Sequence, residues 1–76
     1  MAPADPNLGA RIKALREAKG WTQADLAARA KLSVIYVAKM EGGDRVPTLA
    51  TLKRLARALG VALVIDLRPL RRAPRR

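Results

Sequence analysis

A chain of 76 residues is too short to bury two cores and forms one small domain at most. Half of its residues are hydrophobic, but 15 are Ala and 11 Leu, against one Trp, one Tyr and no Phe, which suits closely packed helices and an all-α fold. The absence of Cys and His excludes disulfides, Cys/His metal centres, thiol nucleophiles and imidazole acid–base chemistry.

The 16 basic and 6 acidic residues give a net charge of +10 and a pI near 11.6, which calls for a polyanionic partner. The excess is not confined to a tail, because residues 1–65 hold 11 basic and 5 acidic groups. The carboxylates Asp5, Glu17, Asp25, Glu41, Asp44 and Asp66 are scattered, so neither an enzyme nor a cofactor or metal is expected. Residues 1–7 read as an N-terminal arm with neither the basic nor the apolar part of a secretory leader. The longest aliphatic run is only Val61 to Ile65, so the expected location is cytoplasmic, with no membrane partner.

In chain order, the first predicted helix follows Asn7, turns Leu8, Ile12 and Leu15 to one face, and stops at Gly20. The second begins at a capping box, Thr22 with Asp25, with Trp21 ahead of the cap as a staple for Leu26, and runs to about Ala30. Lys31 and Leu32 alone separate it from Ser33, the cap of a third helix that turns Val37 and Met40 inward and ends at Gly42-Gly43. After the loop Asp44–Pro47, Thr48 caps a fourth helix with an apolar face of Leu52, Leu55, Ala56 and Leu59, closed by Gly60.

Beyond Gly60 the apolar period changes to two, placing Val61, Leu63, Ile65 and Leu67 on one face of an extended segment. A lone strand finds no partner in a chain whose helices occupy residues 6–59, so residues 61–68 are expected to pair with the same strand of a second copy, as a homodimer. The alternative is an extension of the fourth helix, or irregular chain on the core. Residues 69–76 form a basic, disordered tail, with three readings: phosphate or minor-groove binding, folding on an acidic protein, or solubility alone.

Two short helices across a tight turn, inside a small basic all-α domain, are the helix-turn-helix arrangement, whose second helix enters the major groove of DNA. The segments Ile12–Gly20, Trp21–Ala27, Met40–Gly43, Pro47–Leu49 and Leu55–Val61 carry the resemblance further. In that order and spacing, over about residues 8–61, the chain resembles the Cro/CI-type (XRE-like) helix-turn-helix family, which implies a DNA-binding domain over residues 8–60 and a place at the bacterial nucleoid. The resemblance implies a lambda-repressor-like bundle of four to five short helices and a dimeric, sequence-specific autorepressor on an inverted repeat of double-stranded DNA. The terminal strand gives an alternative, the antitoxin of a toxin–antitoxin pair, with a protein toxin as second partner.

Residue by residue, the resemblance places Gln23 at a phosphate, against the plainer reading of a polar helix-start residue. It places Ser33, Val34, Ile35 and Lys39 on the outward face of the third helix, which meets bases or adjoining phosphates, with Lys39 in reach of guanine O6 and N7. Val34 and Ile35 depart from the usual polar or small types; they contact thymine methyl groups or pack on protein, such as Trp21 or a partner. Tyr36 reaches a phosphate or is a packing residue, and Arg45 is a phosphate contact or a solvated loop charge. Arg16 and Glu41 match a structural ion pair joining the first helix to the end of the third, whose half-removal costs on the order of 3 kcal/mol if buried. Arg11, Lys13, Lys53, Arg54 and Arg57 read as solvated helix faces. Lys31 stands where the family has Gly in a left-handed conformation, so it either adopts positive φ or shifts the turn.

Overall fold

Thr22, Ser33 and Thr48 each cap the helix that the sequence predicts after them, and the helices end where the backbone turns left-handed. The computed structural model describes residues 8–64, in which four helices follow one another: α1 Leu8–Ala18, α2 Gln23–Ala30, α3 Val34–Glu41 and α4 Leu49–Leu59. The N-terminal arm 1–7, Ile65, Leu67 and the tail 69–76 lie outside the described residues.

Thr22 Oγ1 accepts the Asp25 N–H at 3.0 Å while Asp25 Oδ2 accepts the Thr22 N–H at 2.8 Å, a reciprocal capping box. Ser33 Oγ accepts the Tyr36 N–H at 3.0 Å, and Thr48 Oγ1 the Thr51 N–H at 3.2 Å. The C-termini share one device, paired backbone bonds that fold the chain back over the last turn. At α1 the Gly20 and Trp21 N–H groups donate to Glu17 and Arg16 carbonyls; at α4, Gly60 and Val61 donate to Arg57 and Ala56. At α3, Gly43 and Asp44 donate to Met40 and Lys39. Those three ends place Gly at φ of 74, 71 and 88°. At α2 the same bonds run from Lys31 to Ala28 and from Leu32 to Ala27, with Lys31 itself at φ 59°, ψ 48°. The doubt over Lys31 thus resolves toward positive φ, with the tight turn intact.

The core collects Ile12 from α1, Leu26, Ala27 and Ala30 from α2, Val37 and Met40 from α3, and Leu55 and Leu59 from α4. Ala27, at 2% exposure, is the small residue that lets α2 and α3 cross closely. Leu8, Leu15, Trp21, Leu32, Tyr36 and Leu52 pack half-buried around it. One close approach has no counterpart in the sequence reading. A Cβ on Gly9 of α1 would collide with the Met40 carbonyl oxygen and stand 2.7 Å from that of Glu41, so the absent side chain seats α1 on the last turn of α3.

Among the described residues the fold is all-α. Residues 61–64 form neither helix nor strand, which removes the extension of α4. Val61, Leu63 and Val64 are 38%, 36% and 81% exposed. The predicted ribbon needs a second copy to supply its hydrogen bonds, and half of the predicted strand lies outside the described residues. No helix among the described residues is long and apolar enough to cross a membrane.

Candidate nucleic-acid interface

Because α3 turns Val37 and Met40 inward, helical geometry sends Ile35, Ala38 and Lys39 to the opposite face, with Val34 beside them. All four are exposed. Val34 is 45% and Ile35 69% exposed, and neither is among the side chains packed against the core of the described residues. Ala38 was missed in the sequence reading, although its i, i+3 relation to Ile35 signals the same face.

Ser33 sits exposed at the start of this face with its hydroxyl oxygen engaged as the cap. On the flank, the Arg45 guanidinium lies over the Tyr36 ring at 5.5 Å. Tyr36 is half-buried against the core, so packing and a polar tip are combined in one residue. The structure brings Arg45 and Tyr36 together, which the sequence treated separately.

Gln23 opens α2, but its side chain is committed inward: Nε2 donates to Glu41 Oε1 at 3.1 Å. The same carboxylate receives Arg16 Nε at 2.8 Å on Oε2 and Arg16 Nη2 at 3.0 Å on Oε1. Arg16 Nη1 donates to the Trp21 carbonyl at 2.7 Å. Only 8% of the Arg16 side chain and 3% of the Glu41 side chain are exposed. One buried junction therefore joins the last turn of α1, the entry to α2 and the end of α3. Burial alone would push the Glu41 carboxyl up. The hydrogen bonds from Arg16 and Gln23, with the charges of Arg16 and Lys13, outweigh it and hold the group below its ordinary value. The Arg16 guanidinium, hydrogen-bonded to that carboxylate, is correspondingly raised.

Arg54 is exposed on α4, as the sequence reading expects, but it has a further engagement that the sequence does not signal. Nε donates to the Ala30 carbonyl at 3.2 Å and Nη2 to that of Lys31, at the end of α2. Residues 8–64 hold 11 basic groups against four acidic ones, of which Glu41 is neutralised in the interior and Asp25 is used in a cap. No group of acidic residues able to hold a metal ion occurs among the described residues.

Residues 12–65 match the model of the helix-turn-helix family, and the chain belongs to this family, of Cro/CI type, whose members are DNA-binding transcription regulators rather than enzymes. It is 40% identical over 67 residues to an uncharacterised HTH-type transcriptional regulator, y4dJ, of Sinorhizobium fredii, covering 88% of this chain and 87% of that protein. It is 44% identical over 54 residues to the immunity repressor of Bacillus phage phi105, covering 71% of this chain but only 38% of the repressor. Among solved structures, the restriction-modification controller protein C.AhdI of Aeromonas hydrophila superposes with a TM-score of 0.73 at 38% identity, over 78% of this chain and 91% of that one. A second controller, C.Esp1396I bound to a 19 base pair DNA duplex, superposes at 0.70 with 32% identity, over 75% of this chain and 76% of that one.

Proposed function

We propose that this regulator is a sequence-specific, dimeric autorepressor that lays α3 in the major groove of an inverted-repeat operator in the cytoplasm, half-sites about 34 Å apart. The exposed face of Val34, Ile35, Ala38 and Lys39 carries the reading. It is the outer surface of a helix fixed at both ends, in a basic domain whose structural relatives include a controller bound to duplex DNA. Lys39 donates to a guanine, and Val34, Ile35 and Ala38 contact thymine methyl groups. Ser33, Tyr36 and Arg45 hold adjoining phosphates, as does the entry of α2 at Gln23, where N–H groups suit an anion. The phage immunity repressor among its relatives supports repression as the sign of regulation.

Exposed Val61 and Leu63 support a dimer closed by residues 61–68, with Ile65 and Leu67 completing the apolar row. The basic tail 69–76 adds phosphate contacts. No observation specifically favours a toxin partner.

The test is a salt series of binding to DNA from upstream of the chain's own gene, beside a scrambled duplex of equal length. A preference of at least ~10³ at physiological salt is expected; equal affinities that collapse together with salt would overturn specific recognition. Lys39→Ala should reduce binding to the upstream duplex far more than to the scrambled one. Deoxyuridine in place of thymine in the half-site should weaken binding by about 0.8 kcal/mol per contacted methyl. Truncation after Gly60 should leave a folded monomer in sedimentation; a persisting dimer would remove residues 61–68 from the interface.

A further inference from the structure

The turn that aims α3 is the one helix end, among those described, at which a side-chain-bearing residue holds the left-handed conformation. Lys31 occupies a backbone region that Gly adopts freely and an L side chain disfavours. Its N–H and that of Leu32 are tied to Ala28 and Ala27. The carbonyls of Ala30 and Lys31 come after the last intrahelical acceptor and need donors from elsewhere. Arg54 supplies both, from Nε and Nη2 of one planar group.

From these contacts we infer that Arg54 is a positioning residue for DNA reading, a clamp from α4 that fixes the α2–α3 turn and so the direction of the recognition helix. The inference rests on the groove-reading role proposed above for α3. A guanidinium is a rigid fork, so two donors set 24 and 23 residues away in sequence fix two successive carbonyls in one mutual orientation. A rotation of the Lys31 backbone out of the left-handed region swings the Lys31 carbonyl and breaks that match. The guanidinium charge also sits at the negative end of the α2 dipole, where it is favourable.

Ser33 and the first turn of α3 follow within two residues, so a softened turn changes the angle of the reading face relative to the entry of α2. Specific binding requires both to meet the duplex in register, whereas binding to phosphates alone does not. With Nε and Nη2 directed at protein carbonyls, the fork is turned toward the turn itself.

The experiment uses the full chain, a duplex that the wild-type chain selects from a random pool, and a scrambled duplex of equal length. Arg54→Met, which keeps the stem and removes the fork, should lower affinity for the selected duplex about tenfold. It should leave the salt slope and the scrambled-duplex affinity nearly unchanged. Arg54→Lys keeps the charge but not the fork and should show most of the same loss. Adding Lys31→Gly, which accepts the turn without strain, should restore most of the affinity lost by Arg54→Met. Circular dichroism at the binding temperature verifies that each variant is folded.

Equal losses on both duplexes, with a salt slope reduced by about 0.9 and recovery in Arg54→Lys, would make Arg54 a phosphate contact and overturn the clamp. Lower melting temperature with unchanged discrimination would reduce it to a stabilising contact. Failure of Lys31→Gly to rescue would remove the link to the turn. If the wild-type chain selects no duplex over scrambled DNA, the groove-reading proposal itself fails, and the positioning role falls with it.

Discussion

At its C-terminal end α3 is held by side-chain charge: Glu41 receives hydrogen bonds from Arg16 and Gln23 inside the protein, and α1 presses against the last turn at Gly9. At its N-terminal end α3 is held by backbone geometry: a two-residue turn with Lys31 left-handed, capped by Ser33 and braced from α4 by Arg54. The first end buries groups that are costly when unpaired; the second sits nearer to water and depends on dihedral preference. Damage at the C-terminal end should therefore appear mainly as lost stability, and damage at the N-terminal end mainly as a less exact placement of the reading face.

The largest expected effect is at Glu41. Glu41→Ala leaves the Arg16 guanidinium buried without its counter-charge, and should destabilise the fold by on the order of 3 kcal/mol in urea unfolding. The double replacement Arg16→Met with Glu41→Leu should recover much of that loss, because it removes the desolvated charges together. A double variant as unstable as the single one would show that the junction contributes mainly through the Trp21 and Gln23 bonds.

Gly9→Ala is expected next, at about 1–3 kcal/mol, because its new methyl meets backbone carbonyls that have no side chain to swing aside. Gly42→Ala is the control: its Cβ would lie 3.4 Å from the Ala38 carbonyl oxygen at an ordinary φ of −82°, and should change stability by about 0.5 kcal/mol or less. Matching losses in the two variants would place the cost in helix propensity rather than in the seat of α1 on α3.

How legible each end was follows from the range of its interactions. The caps at Thr22, Ser33 and Thr48, and the stops at Gly20, Gly43 and Gly60, lie within a few residues of what they cap, so local chemistry announces them. The inward pair Val37 and Met40 was equally plain from period alone. Arg16 and Glu41 are 25 residues apart, and only the family resemblance paired them. Nothing local marks Gly9 as a contact point or Arg54 as a clamp; both meanings arise when α1 and α4 dock. Among the reading-face residues, exposure of Val34 and Ile35 was open in the sequence because an apolar residue at a helix start suits a core as well as a surface, and only the packed neighbours decide it.

Acid should separate the ends further. The Glu41 carboxyl is held below 4.5 in the fold, so the unfolded chain binds its proton first and the stabilisation is complete above that value. It is lost as pH falls through the lower, folded value. Asp25, held down by the backbone and then the side chain of Thr22, gives the same sign at the α2 entry. Stability measured from pH 6 downward should fall less steeply in Glu41→Gln than in the wild type. An unchanged slope would place the acid sensitivity at Asp25 and the capping box instead.

The smallest effect should have the opposite sign. Lys31→Gly removes an L side chain from φ 59°, which favours the fold, but it also frees the unfolded chain, which opposes it. The left-handed cost of roughly 1–2 kcal/mol exceeds the entropic penalty of roughly 0.5–1 kcal/mol, so a net gain of up to about 1 kcal/mol in chemical denaturation is expected. Glycine holds the left-handed conformation of the turn at lower cost than Lys31 does. With Arg54 in place the two carbonyls remain clamped, and the gain should come without loss of discrimination between the selected and scrambled duplexes. A Lys31→Gly chain that is more stable yet less discriminating would show that the side chain at position 31, rather than Arg54, confines the turn.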